Sequence, residues 1–547
     1  MRKIFPPIAL DLQGEDQNPA IQLFGRRFYP DQTTTEYLIE FLLVAASQKR
    51  VGNANIVEDA LFPDLELLRS WPDNSTLAYS PKAHLNLKLF AFIGSSKLET
   101  RHSSHRQHHE TLSKKYLNLI QLPVGSRLGE KEVLNMLENL FLGFQGVGGQ
   151  RTWCAASFIP ITRELLAGES IWGETRAVAD KVQSWDEALS FFSHSKRTFL
   201  ARGGELLYLQ ICNALRQEKD VLEEWEQMAG LGLPRENINP ANLLKSLESA
   251  LASILDACPP AVGQLANFLG NGVDAETQLK TDFQRNGEQR FASCGWCPDE
   301  SWREGYLFAN ELLYISNAAI DPIERLEMLE LACAIQVLRS LCAQGARFSE
   351  RTQSILEGAG PLKYVWVLSD PRGDNGVVKQ ISQRNLNSVQ RQIYGAIRNP
   401  EIQFGQDGMD ENEINKWYRD ADRKYGHKLF MNLAKKIGLV GPQRGPGARF
   451  KLNDKLVRFF VLAIIPPGKR ITYDSFKDLL FAHFGVALDE YKITKACAWS
   501  GTPNLTTLGG ATDDWFTEML DASGVLIKLS DSHSLIHNPF DGISEKS

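Results

Sequence analysis

Leu429, Phe430, Leu433 and Ile437 recur at the spacing of one face of an α-helix, while Lys424, Lys428, Met431 and Lys435 recur at four, three and four on the opposite side. Such a stretch folds as a helix with one buried and one cationic face. Gly438 ends it. Leu439-Val440 can then pair with Arg449-Phe450-Lys451-Leu452 across a Gly/Pro-rich loop, residues 441–448, which predicts a β-hairpin.

Two more helices precede it. Leu386, Val389, Ile393 and Ile397 form an apolar stripe over 383–398, and Arg384, Arg391 and Arg398, seven apart, form a second stripe on another side. Glu411–Lys424 is the next helix, with Ile414 and Trp417 inward. Helix, helix, helix, hairpin is the order of a winged helix-turn-helix. In that reading the lysines of the third helix meet phosphates, Asn432 is the candidate for a base edge and Lys436 flanks it. Arg444 sits at the hairpin tip, with Arg449 and Lys451 on the return strand, placed for phosphate or minor groove.

The charge balance points the same way. Residues 416–458 carry twelve Lys or Arg against three Asp, a local +9 in a chain of formal charge −6, so the remainder carries −15. Double-stranded DNA is the partner this favours; RNA, an acidic protein or a plain solvated face remain as alternatives.

Residues 453–547 repeat the layout with opposite chemistry. Asn453 or Asp454 caps a helix through Ile465, Ile471–Tyr473 is a short strand, and Asp474 caps Ser475–Phe484. A helix over Thr512–Ala522 then precedes a hairpin at 524–536. That last helix carries Asp513, Asp514, Glu518 and Asp521 and no base, and 459–547 hold seven Lys/Arg against eleven Asp/Glu. It repels phosphate and reads as a protein-interaction or spacer module.

Upstream, residues 1–175 look like a mixed α/β domain. Ile8–Leu10, Ile21–Phe24 and Leu85–Ile93 read as strands, and helices are expected from about Thr34 to Ser47 and over Lys131–Leu142. Residues 176–365 read as helical, with three-and-four spacing in Trp185–Phe192, Gly204–Leu215, Pro240–Ala257 and Glu324–Ala343. A short strand at Tyr364–Leu368 and a loop at 369–376 separate this region from the basic module, 366–452, and the acidic one, 453–547. The expected class is α+β, predominantly α-helical.

No chemical constellation is complete. Cys294-Gly-Trp-Cys297 has metal-knuckle or redox spacing, but no second Cys-x-x-Cys exists, so a structural role is favoured and Cys294 and Cys297 stay weak metal candidates. His102, His105, His108 and His109 suit a polar loop. Gly143, Gly146, Gly148 and Gly149 lack the Gly-Lys-Ser/Thr of a phosphate loop. Lys196, Arg197 and Arg202 form a minor basic spot, and Glu490-Tyr-Lys492 echoes a nuclease Glu-x-Lys but falls in a helical pattern. Eight scattered cysteines, no signal peptide and no membrane span suit the cytoplasm. No cofactor is expected.

Three segments carry a family resemblance: Phe28–Leu43 (FYPDQTTTEYLIEFLL), Gly146–Ala155 (GVGGQRTWCA) and Gly438–Phe450 (GLVGPQRGPGARF). In these, and in length and organisation, the chain resembles the B component of Druantia-type bacterial anti-phage defence systems. The resemblance implies a cytoplasmic accessory protein working beside other defence proteins, a large helicase-like subunit among them, and supplies no catalytic residues. The expectation is a non-catalytic DNA-binding subunit. The alternatives are a protein-interaction scaffold of such a complex, or a nuclease-like enzyme in the N-terminal region.

Overall fold

The structure, a computed structural model, describes residues 3–9, 14–26, 28, 32–52, 54–55, 60–80, 113–142, 162–166, 170–172, 192–194, 203–257, 260–271, 291–349, 359–373, 376–402, 410–501, 513–530 and 533–542. Helices dominate, and the sheets are small. The histidines at 102–109, the glycines at 143–149, the 146–155 segment, the basic spot at 196–202, the Leu85–Ile93 strand and Trp185–Phe191 lie outside the described residues.

The N-terminal strands are tied to residues far along the chain. β1 (Ile4–Phe5) pairs with β8 (Cys297–Pro298), and β2 (Gln48–Val51), β3 (Ala54–Asn55), β4 (Leu77–Ser80) and β7 (Ala292–Ser293) form one antiparallel sheet in the order β3-β2-β4-β7. β5 (Ser170–Trp172) pairs with β6 (Phe192–His194). Two strand expectations are corrected. Ile21–Phe24 belongs to helix α1 (Pro19–Phe24): Asn18 accepts a hydrogen bond from Ala20 N, and Pro19 occupies the first turn where no N–H is needed. Ile8 and Ala9 are irregular, and the strand lies earlier, at β1.

Helix α2 (Thr34–Ala46) opens with a reciprocal capping box between Thr33 and Glu36. Its C-terminal carbonyls are closed by Lys49, whose Nζ donates to Ala45 O at 2.6 Å and Ser47 O at 2.9 Å. Burial lowers the Lys49 pKa to about 8. α3 (Glu130–Leu142) matches its expected span.

The core centres on α4 (Gly203–Leu215), every residue of which is buried. α5 (Lys219–Ala229) and α6 (Pro240–Leu255) follow, and α6 packs on α4. α4 also packs against α2 and α7 (Trp302–Asn317), and α7 against α8 (Pro322–Arg347). Two glycines allow this closeness. A Cβ on Gly204 would stand 2.5 Å from Phe41 N, and one on Gly305 2.1 Å from Gln210 O, so backbone meets backbone.

Between these helices lies a buried polar chain. Arg339 pairs with Glu311, both fully buried, and donates to Gln336 Oε1 at 2.9 Å; Gln336 donates to Gln210 Oε1 at 2.8 Å. Burial pushes the Glu311 carboxyl up to about 7 against the pull of Arg339.

β7 and β8 of the N-terminal sheets are followed by β9 (Trp366–Val367), which pairs in parallel with β13 (Val486–Ala487). α9 (Gly376–Ile397) packs on α8 and buries Leu386, Val389, Ile393 and Ile397 as expected. α10 (Glu411–Asp420) and α11 (His427–Lys436) lead into a hairpin, β10 (Val440–Gly441) with β11 (Arg449–Phe450), in the expected register region. α12 (Asp454–Ile464) is capped by Asn453, whose Oδ1 accepts from Leu456 N. β12 (Arg470–Thr472) precedes α13 (Tyr473–Phe484), whose cap is Thr472, not the expected Asp474: the Thr472 side chain accepts from Ser475 N. α14 (Glu490–Ser500) and α15 (Asp514–Ala522) precede β14 (Leu526–Ser530) and β15 (His533–His537), and the sheet runs β12-β15-β14. Among the described residues no helix is long and apolar enough to cross a membrane.

Candidate nucleic-acid interface

Phe450 is central to the seating of the hairpin. Phe450 N donates to Ser382 Oγ at 3.0 Å, and its carbonyl accepts from Ser369 N at 3.1 Å and Ser369 Oγ at 2.8 Å. Its ring stacks with Trp366 at 6.0 Å and meets Phe430 of α11 edge-on at 6.4 Å. The hairpin is thereby fixed to α9, to β9 and to α11 at once.

α11 is held by Leu429, Phe430, Leu433 and Ala434, all buried, with Ile437 just beyond its end. Its most exposed line is Lys428, Asn432 and Lys436, spaced by four. The sequence pattern had centred that face on Lys428, Met431 and Lys435. The difference comes from the hairpin. Gln443 donates back to Lys435 O, Lys435 Nζ reaches Gln443 O at 3.4 Å, and Met431 packs on the core, so that flank is half-covered. Arg444 is exposed on the hairpin loop and Lys451 is half-buried. At the end of α11, Gly438 has φ +84°, and a Cβ there would stand 2.2 Å from Asn453 Nδ2. Asn453 donates that amide to Ile437 O at 3.1 Å, so one side chain closes α11 and opens α12.

Other candidates are engaged elsewhere. Lys424 is not on α11: it falls in a wide π turn, Ala421–Tyr425, and pairs with Asp420 at 3.1 Å. Arg398 makes a two-pronged bond to Asp422, at 3.0 and 2.7 Å, with its guanidinium 3.4 Å from the Tyr394 ring centroid and 4.8 Å from that of Tyr418. It locks the end of α9 to the π turn. Arg449 donates to Ser369 Oγ at 3.1 Å and reaches the carbonyls of Asp370 and Pro371 at 3.5 Å. Arg384 is exposed, and its charge is felt by Cys497 of α14; Arg391 turns back on its own helix, to Asn387 O at 3.4 Å. Of the α9 stripe, Arg384 and Arg391 thus stay exposed, while Arg398 is taken up by Asp422. The inner residues expected on α10, Ile414 and Trp417, are only half-buried.

His427 opens α11, with Nδ1 3.8 Å from Asp422. Burial lowers its pKa, and the Asp422 charge opposes that shift. Sequence reasoning missed Lys379. It lies one turn before Gln383, which donates to Gly447 O of the hairpin at 3.4 Å, and its Nζ lies beside Arg449 near Gly373. No spacing in the sequence singles it out.

The acidic helix α15 is largely paired within the fold. Asp513 accepts from Lys477 and from Tyr473 Oη, both at 3.0 Å, Asp521 meets Lys528 at 2.7 Å, and Glu518 meets Arg372 at 2.8 Å. Cys294 and Cys297 are buried, and burial pushes the Cys297 thiol up to about 12. Lys492 joins Asp478 at 2.7 Å and Asp489 at 2.8 Å, but these lie on α13 and at the cap of α14 rather than on a core strand. Among the described residues no group of three or more His, Cys, Asp or Glu is arranged to hold a metal ion.

No protein-family model matches the chain, nor does any curated protein or solved structure.

Proposed function

We propose that the chain is a non-catalytic DNA-binding subunit that grips duplex DNA through α11 and the hairpin after it. The observation that carries this reading is the exposed line Lys428, Asn432 and Lys436, on a helix anchored from behind, beside a hairpin loop presenting Arg444. A helix so held can lie in a major groove, with lysines on phosphates and an amide toward a base edge. The order α9, α10, α11, hairpin supports a winged-helix reading of 366–452. In 453–547 the sheet order β12-β15-β14, with the first strand beside the last, supports the same reading for the acidic region. That region serves as a spacer or protein contact, since its carboxylates oppose phosphate. On the likeness of the three segments named above, the subunit works in an anti-phage assembly beside other defence proteins.

Charge reversal tests the reading. Fluorescence anisotropy of a labelled duplex should show binding by the wild type and at least tenfold weaker binding by the Lys428→Glu/Lys435→Glu protein. Equal affinity would reject the surface. Failure of the wild type to bind DNA, with retention of an acidic partner protein, would favour the scaffold alternative.

A further inference from the structure

A second cationic site lies away from α11. The C-terminal end of α5, the start of α7, the turn at 360–363 and the faces of α13 and α14 enclose a cleft of about 760 Å³. That volume is in the range of small-molecule sites. Its walls carry five Lys or Arg and one Asp. Two of the cations are already matched: Arg347 pairs with Glu304 at 2.7 Å, and Lys492 with Asp478 and Asp489. Arg303, Lys363 and Lys495 line the same cleft with no ion pair among the described residues.

Arg303 and Lys495 are each held against aromatic rings. Arg303 is half-buried, with its guanidinium 4.7 Å from the Trp302 ring centroid and 5.4 Å from that of Trp225. Burial and the neighbouring Arg347 lower its pKa, against the pull of Glu304, Glu300 and Asp299. Lys363 has φ +63°, a conformation that a side-chain-bearing residue seldom adopts. Lys495 rests its ammonium 4.3 Å from the ring centroid of Tyr491, one turn earlier on α14. Tyr491 is 67% exposed, a large flat ring at the rim of the cleft with Lys495 against it. Phe481 and Trp225 supply apolar wall.

We propose that this cleft binds a nucleoside phosphate, with Arg303, Lys363 and Lys495 on the phosphates and Tyr491 beneath the base. Three cations that line one cavity without an ion pair among the described residues suit more than one negative charge, which a phosphate chain supplies and a single carboxylate does not. The exposed tyrosine gives a base a surface to stack on. The same chemistry comes from a free nucleotide or from the 5′-phosphate end of a strand.

Isothermal titration calorimetry of the full chain separates these cases, with ATP, sodium tripolyphosphate, and 5′-phosphorylated and 5′-hydroxyl oligothymidylate as probes. ATP or the phosphorylated strand should bind saturably, and more tightly than tripolyphosphate or the hydroxyl strand respectively. ATP alone identifies the free nucleotide, and the phosphorylated strand alone identifies the strand end. Lys495→Ala and Lys363→Gly, the latter suited to the backbone at 363, should each weaken binding at least tenfold. Tyr491→Ala should weaken ATP or strand binding roughly five- to tenfold, at the lower end of stacking energies, while leaving tripolyphosphate unchanged. Lys455→Ala, an exposed lysine outside the cleft, should change nothing. No saturable binding by any probe, or affinity unaltered in the Lys363 and Lys495 variants, would overturn the proposal. ATP binding no tighter than tripolyphosphate would remove the nucleoside from it.

Discussion

Two residues of the same charge illustrate how differently this protein uses its cations. Arg398 is enclosed by Asp422, Tyr394 and Tyr418, whereas Lys428 stands exposed with its neighbours held behind it. Arg398→Gln should therefore lower stability by about 1–3 kcal/mol, the range for a partly buried charge-assisted pair. Lys428→Gln should stay within about 0.5 kcal/mol of wild type and lose DNA affinity instead. Thermal unfolding and anisotropy on both proteins check the contrast. Such assignments were hidden in the sequence because the deciding partners are remote. Asp422 is 24 positions from Arg398, and Ser369 is 80 from Arg449. A stripe of arginines predicts where charge lies on a helix, but not which charges the tertiary fold has already neutralised.

A second residue-scale prediction concerns pH. His483 is fully buried, its Nε2 donates to Leu231 O at 2.8 Å, and burial lowers its pKa to about 4. The unfolded chain takes up a proton there below about 6.5 that the native state refuses. Stability from this group is thus present above 6.5 and lost as the pH falls toward 4. Glu311, raised to about 7, acts oppositely: its contribution is full below 4.5 and lost as the pH rises toward 7. The two slopes oppose one another in the wild type. Glu311→Gln should reveal the histidine, with stability falling by roughly 3 kcal/mol on acidification from 6.5 to 4. His483→Gln should reveal the carboxyl, with a loss of similar size as the pH rises from 4.5 to 7. Urea unfolding of each variant across this range, read against wild type, measures both signs.

At the scale of the element, the apolar faces of helices were the most legible feature. The apolar faces of α9 and α11 lie where three-and-four spacing puts them, and the hairpin closes across the expected loop. Short apolar runs were not legible: Ile21–Phe24 suits a strand by composition, and only the Asn18-Pro19 start makes it a helix. The exposed line of α11 was displaced by Gln443, a loop residue whose backward hydrogen bond no helical pattern foretells. Gly438 joins two elements and gives the sharpest test here. Gly438→Ala imposes a disfavoured φ and drives a methyl into Asn453. It should cost about 1–3 kcal/mol in thermal or urea unfolding, and it should weaken DNA binding because the hairpin follows directly.

At the scale of the whole molecule, cations gather at two places among the described residues that the proposals above use, the face of α11 with its hairpin and the cleft bounded by α5, α7, α13 and α14. The first was readable, since its residues are contiguous. The second was not: Trp225, Arg303, Lys363 and Tyr491 come from four separate segments of the chain and meet only through the packing of buried helices. The central claim remains that the α11 surface holds duplex DNA by its phosphates. Its most direct measurement is the dependence of duplex affinity on salt. With about four phosphates neutralised, through Lys428, Lys435, Lys436 and Arg444, log K should fall with log salt at a slope near −3.5. Lys428→Gln/Lys436→Gln should bring that slope to about −2. A wild-type slope near zero, or a slope unchanged in the double variant, would contradict the account.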